Sequence, residues 1–361
     1  MKIYHFLIIA FFLISSCNED EDQSPTYSKD YGSGLYIATS NGVSFYDGNT
    51  VKNQIFQDVN GFALNNVRKI KFQNNSACIL SSNTLYKVDH ETFQNKGLVD
   101  GFIDAVDFEF VNPEDRIFVV DKGDSKVKAV DIESLEIISD IETGENTQPA
   151  SIVIKSLNGL GRAMIMNGGA TSDTLKDSTI IAIDFKDELV PLANMMGSLY
   201  IGDNPNSAIG INNLKVLCKG IYDPSNLINK TSSNLVTVNV WDMTIIDSQN
   251  LSDIYNGKNL ISNNDGTEFY LTAEDGFYKM NSSGNNRILI PVVSDVLSYQ
   301  DEIYSQYSPT DSTTYYYNRD VLYINDSQNN KNTIYKYNLD SGNFIDTIIV
   351  NGNVTDIIFY E

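Results

Sequence analysis

Short apolar runs recur along the chain, each followed by a polar turn, and the pattern is clearest across residues 116–155. There 117–120 (IFVV) is apolar throughout, 127–130 and 135–141 alternate, and 150–154 is apolar again. Asp-Lys-Gly-Asp-Ser, Asp-Ile-Glu-Ser and Gly-Glu-Asn-Thr-Gln-Pro lie between them and supply turn chemistry. Four strands in about forty residues is one structural unit, and the chain repeats it. The sharpest marker is the third strand, which reads apolar-x-x-apolar and ends on Asp or Asn. It occurs at 43–46 with Asp47, 85–88 with Asp89, 127–130 with Asp131 and 180–183 with Asp184. The remaining copies are 235–238 with Asn239, 277–280 with Asn281 and 334–337 with Asn338. Trp241-Asp242 offers a competing register in the fifth copy.

Seven four-stranded units at this period predict an all-β, seven-bladed β-propeller. One such sheet cannot bury both of its faces alone, whereas packing sheet against sheet around a ring buries both faces of every blade. The terminal Asp or Asn has a structural explanation, because its short side chain accepts hydrogen bonds from backbone N–H groups two residues on. The first unit begins at 34–39 with what matches a second strand. Its missing inner strand is therefore expected from 354–360, so that both chain ends close the ring in one blade and leave no open edge. The fourth strand of blade one is expected near 51–56 and that of blade four near 189–192. The inner strand of blade seven is expected within 296–307.

The third and last copies, including 321–325 (VLYIN) and 332–342 (NTIYKYNLDSG), resemble the YVTN (YncE-like) family of β-propellers. The likeness extends over most of 34–361 as a pattern. It implies the propeller fold and brings little chemistry with it.

Residues 1–16 pair one lysine with an apolar run, and Ile14-Ser-Ser-Cys17 completes a lipobox. The expectation is a cleaved lipoprotein signal peptide with Cys17 as the lipidated residue. Residues 18–22 (NEDED) resemble the export tag of surface lipoproteins, so an outer-membrane, cell-surface location is expected. Residues 17–33 then form an acidic tether and 34–361 the propeller. The chain has 25 basic and 47 acidic residues, a net charge of −22. A field of that sign repels phosphate backbones, which argues against nucleic-acid binding.

Catalytic motifs are sparse. Of two histidines, His5 lies in the signal peptide and His90 in a turn, and no Gly-x-Ser-x-Gly motif supports a nucleophile. No metal-ligand spacing of Cys or His exists. The acidic turns Asp121-Lys-Gly-Asp124 and Asn263-Asn-Asp265-Gly lack EF-hand spacing. No cofactor is expected, and the protein is read as a non-enzyme. Cys78 and Cys218 fall on second strands of blades two and five, too far apart for a disulfide.

Departures from the short repeat are where binding groups are expected, because long loops cost entropy without adding core. Loops 167–178, 194–207 and 219–234 belong to connections that emerge on one face, over blades four and five. They carry Asn167, Asp173, Tyr200, Asp203, Asn204, Tyr222, Asp223 and Asn226, with Glu145 and Asn146 on the neighbouring loop. Residues 300–320, rich in tyrosine, belong to the opposite face and are expected to add an extra strand. Together these features point to a surface lipoprotein that binds a small molecule, glycan or envelope partner, such as a TonB-dependent transporter. Corrinoid-type capture enters by analogy with other surface propellers. The alternatives are a scaffold or adhesion subunit, and a lactonase-like or glycan-cleaving propeller. An enzyme would place its carboxylates on the axis, where Arg68, Lys69, Asp107, Glu109, Ser151, Thr355 and Asp356 are expected.

Overall fold

Each repeat folds into one four-stranded antiparallel sheet, and the seven sheets are arranged as a β-propeller in the computed structural model. The structure describes residues 31–73, 76–111, 116–144, 146–157, 160–169, 177–186, 194–210, 212–225, 228, 230–292, 294–310, 312–326 and 328–360. Blade three shows the plan, with Ala105–Val111 innermost, then Arg116–Asp121, Lys126–Asp131 and Glu136–Glu142 at the outside. Inner strands of successive blades touch all the way around the axis.

Seven apolar clusters fill the seven spaces between neighbouring blades. This explains why the second and third strands read as continuous apolar runs. In Arg116–Asp121, Ile117 and Val119 pack toward blade two while Phe118 and Val120 pack toward blade four. Successive side chains of a strand point to opposite faces, and here both faces are buried. Outer strands lack this demand, and Thr244–Asn250 is mostly exposed.

Blade one closes the ring. Val354–Tyr360 is its inner strand and pairs antiparallel with Gly34–Thr39, from Gly34↔Tyr360 to Thr39↔Val354. Its outer strand is only Val51–Lys52, shorter than 51–56, because a helix, Ile55–Asn60, follows at once. The helix buries Ile55 and Phe56 in the space between blades one and two, a use of those apolar residues that a strand would not make.

The third-strand acceptors do what their position demands. Asp131 Oδ1 takes the N–H groups of Glu133 (3.0 Å) and Ser134 (2.9 Å), and Asn338 Oδ1 those of Asp340 (3.0 Å) and Ser341 (2.8 Å). Asp47, Asp89, Asn239 and Asn281 cap their turns likewise. Asp184 instead accepts a bidentate pair from Arg162, whose guanidinium also bonds the carbonyls of Val240 and Trp241 in blade five. The carboxylates of the two acidic turns are likewise engaged by the chain itself. Buried Asp121 accepts from the N–H groups of Ile103 (2.8 Å) and Asp104 (2.7 Å) and from Lys128 Nζ (2.8 Å), and Asp265 caps Thr267 (3.0 Å).

Two further expectations need correction. The outer strand of blade four is Asn194–Tyr200, so most of 194–207 is strand and not loop. The more apolar stretch 189–192 lies outside the described residues. An outer strand has no buried face to satisfy, so apolarity is a poor guide to its position. Residues 300–320 add no extra strand. They continue the first two strands of blade seven, Asp295–Ser308 and Thr313–Asn325, as a long hairpin beyond the sheet. Glu302 at its base bonds Arg319 (2.8 Å), Lys336 (2.8 Å) and Tyr323 (2.6 Å), tying the projection to the blade.

Candidate functional site

The two faces of the propeller follow from strand order. Connections between second and third strands, and between blades, emerge on what we term the upper face; the others emerge on the lower face. The described chain enters on the lower face, where the Tyr31 N–H bonds the Glu91 carbonyl (3.2 Å), and the tyrosine hairpin projects from that same face.

A cavity of about 580 Å³ lies on the axis in the upper half and is lined by residues from all seven inner strands. Six of those strands carry a register shift near their first residues, at Arg68, Val106, Asn206, Asn259–Leu260, Leu297 and Thr355. Bulges re-aim side chains, and these residues all line the cavity. Every axial residue expected from the sequence lies here, including Lys69, Asp107, Glu109 and Asp356.

These charges are paired across blades. Lys69 Nζ meets Asp356 (3.1 Å) between blades two and one, and Lys71 meets Glu109 (2.5 Å) and Asp107 (3.4 Å) between blades two and three. Arg68 reaches Asp104 (2.6 Å) and the Ala105 carbonyl (2.6 Å). Asp356 holds the Lys69 ammonium well above the usual lysine range. Burial pushes Lys71 down, but Asp107 and Glu109 outweigh it and raise it, while burial raises the Glu109 carboxyl. The pairs staple neighbouring inner strands together beside the closing blade.

A second cavity, about 200 Å³, lies on the upper face at the junction of blades four and five. Three connections build it by bonding each other's backbone. Ile201 N–H donates to Ser178 O (2.9 Å), Asn204 N–H to Asp177 O (2.7 Å), Lys219 N–H to Asn204 O (2.8 Å) and Gly220 N–H to Asp203 O (3.0 Å). Gly220 has φ +79, and a Cβ there would stand 2.5 Å from the Thr231 carbonyl, so only glycine fits. The walls are Tyr200, Asp203, Thr231, Ser232, Asn234 and Asn250, with buried Cys218 beneath. Burial pushes the Cys218 thiol up to about 12, which keeps it neutral.

Among the residues expected at the site, Tyr200 and Asp203 are brought together in this cavity. Tyr200 is 68 % exposed at the end of the outer strand. Asn167 and Asn204 are buried struts: Asn167 Nδ2 donates to Thr143 O (3.2 Å) and Thr179 Oγ1 (3.0 Å), and Asn204 Nδ2 to Gly220 O (2.9 Å). Tyr222 stands against Tyr255 (6.0 Å between rings), and Asp223 caps Ser225 (2.8 Å). Asn146 adopts φ 56 in the neighbouring turn and does not line the cavity. Glu145, Asp173, Asn226 and Cys17 lie outside the described residues. Sequence reasoning did not single out Thr231, Ser232 and Asn234, which lie within the expected loop 219–234, and missed Asn250 altogether. Its signal is its place as the last residue of an outer strand, on the face where such strands end.

Among the described residues, no group of three or more His, Cys, Asp or Glu side chains is placed to hold a metal, and no helix is long and apolar enough to cross a membrane. No family model matches the chain, and no curated protein is similar to it. Solved structures do share its fold. Hydrazine synthase from Kuenenia stuttgartiensis is 13% identical, with 86% of this chain and 92% of that one covered at a TM-score of 0.60. A candidate 6-phosphogluconolactonase from Bacteroides uniformis is 12% identical, with 91% and 99% covered at 0.60. BamB from Moraxella catarrhalis is 14% identical, with 90% and 85% covered at 0.50. Proteins of such different kinds on one scaffold define the class of this chain, a β-propeller, and leave its function to its own surface.

Proposed function

We propose that this protein is a surface-exposed, lipid-anchored β-propeller of the YVTN type that captures a small ligand at the upper rim and serves TonB-dependent uptake. The observation that carries the reading is the rim cavity between blades four and five, framed by backbone bonds and lipped by the exposed Tyr200. Its orientation supports the same reading. The described chain begins on the lower face, so a tether lipidated at Cys17 would leave the cavity facing away from the membrane. Catalysis on the axis is less well supported, because Asp107, Glu109 and Asp356 each already face a lysine. A scaffold role is the second reading, favoured by the exposed tyrosines of the lower-face hairpin.

The test of capture is native mass spectrometry of the detergent-solubilised full-length protein after exposure to a growth-medium extract. Capture predicts a retained small molecule that the Tyr200→Ala, Asp203→Asn variant loses at unchanged melting temperature. Retention of no molecule, or equal retention by the variant, contradicts it.

A further inference from the structure

We propose that the rim cavity of blades four and five is a carbohydrate site for one uncharged sugar ring. The inference rests on the capture reading and names the chemistry of its ligand.

Size comes first. At about 200 Å³ the cavity is smaller than the roughly 300–1,000 Å³ typical of sites for larger ligands, and matches a single ring with its substituents. Charge comes next. No lysine or arginine lines it, and Asp203 is its one carboxylate, so nothing there selects an anion. The chain's net charge of −22 opposes anions further.

The polar groups are of the kind that hydroxyls satisfy, since each hydroxyl both donates and accepts. Asn234 donates through Nδ2 to Ser248 Oγ (3.0 Å), while its Oδ1 is buried with no protein partner. A buried acceptor left unpaired is costly, and a ligand O–H would relieve that cost. Among its contacts, Asp203 accepts two long hydrogen bonds, from Thr231 Oγ1 at 3.3 Å and Ser178 Oγ at 3.4 Å. Those bonds are readily exchanged for shorter ones to two adjacent ligand hydroxyls. Ser232 and Asn250 bond one another (3.0 Å) on the next side.

Tyr200 supplies the apolar element. Its exposed ring at the cavity lip offers a flat face to the C–H side of a pyranose, with its hydroxyl left at the edge. Beyond Gly220, Tyr222 and Tyr255 make a second aromatic surface on the same face, with Lys230 Nζ 4.1 Å from the Tyr255 centroid. That surface suits a neighbouring residue of a longer glycan.

The experiment is saturation-transfer NMR on the detergent-solubilised full-length protein with methyl glucoside, galactoside, mannoside and N-acetylglucosaminide as probes, and titration of any that respond. The expected result is transfer to at least one glycoside, weakened about tenfold by Tyr200→Ala, a loss of about 1.4 kcal/mol. Tyr200→Phe should retain binding, Asp203→Asn should weaken it, and Tyr307→Ala on the opposite face should leave it unchanged. Absence of transfer from all four, or transfer that survives Tyr200→Ala, overturns the sugar assignment. Tetramethylammonium or acetate serve as charged probes. Binding of either at Tyr200, with all glycosides silent, overturns the sugar assignment and leaves capture at this cavity standing.

Discussion

Removing residues 354–361 should abolish the folded ring, and the structure allows the loss to be sized. The strand pairs with Gly34–Thr39 at six positions, so about five backbone hydrogen bonds disappear at roughly 1 kcal/mol each. Ile357, 8 % exposed, leaves the cluster of Leu35, Ile37, Val321 and Ile348, at about 2–3 kcal/mol. Val354, Ile358, Phe359 and Tyr360 are partly buried and together add a similar amount, about 2–3 kcal/mol. Lys69 also loses Asp356. Their side chains are 33% and 20% exposed, so that pair contributes only about 1 kcal/mol. The total, about 10 kcal/mol, is comparable with the whole stability of an ordinary domain. The open edge of Gly34–Thr39 would then be available for aggregation. Thermal melting by circular dichroism, with size-exclusion chromatography, reads both effects. A truncated chain that stays monomeric and melts within about 3 °C of the full-length protein would refute ring closure by the chain ends. Asp356→Asn keeps the strand and should cost only about 1 kcal/mol, which separates the ion pair from the closure.

Three further outcomes follow from the same geometry. Asp131→Ala frees two turn N–H groups and should cost about 1 kcal/mol in chemical denaturation, whereas Arg162→Met strands Asp184 and two carbonyls and should cost about 3 kcal/mol or more. Burial raises the thiols of Cys78 and Cys218 to about 12, so neither should react with a thiol reagent at pH 8 until the protein unfolds. Burial pushes Asp121 up, but Lys128 and the N–H groups of Asp104 and Ile103 outweigh it and hold the carboxyl below its usual 3.8. A lowered carboxyl stabilises the fold above the unfolded-state value and loses that contribution as pH falls through the folded value. The melting temperature should therefore drop below about pH 4, and Asp121→Asn should flatten that drop.

The fold was legible where burial constrained the sequence. Third strands such as Val127–Val130 announce themselves because both faces pack and the following Asp must cap a turn. The closing strand was legible because blade one lacked an inner partner. The outer strand of blade four was not, since Asn194–Tyr200 carries exposed Met195, Met196 and Tyr200 and obeys no burial pattern. The helix Ile55–Asn60 was hidden for the opposite reason, since its buried Ile55 and Phe56 satisfy a strand reading equally well. At the rim, Tyr200 and Asp203 stood out as loop residues of binding type. Thr231, Ser232, Asn234 and Asn250 join them only because three connections from two blades abut, a consequence of blade packing that no local pattern encodes.

The proposed capture at the cell surface is tested most directly by affinity purification of the tagged full-length protein from outer membranes in mild detergent, with mass spectrometry of what accompanies it. The predicted result is a TonB-dependent transporter in stoichiometric amount, lost when Cys17→Ser prevents anchoring. Recovery of the propeller alone, or its release into the soluble fraction with Cys17 intact, would contradict an anchored uptake role.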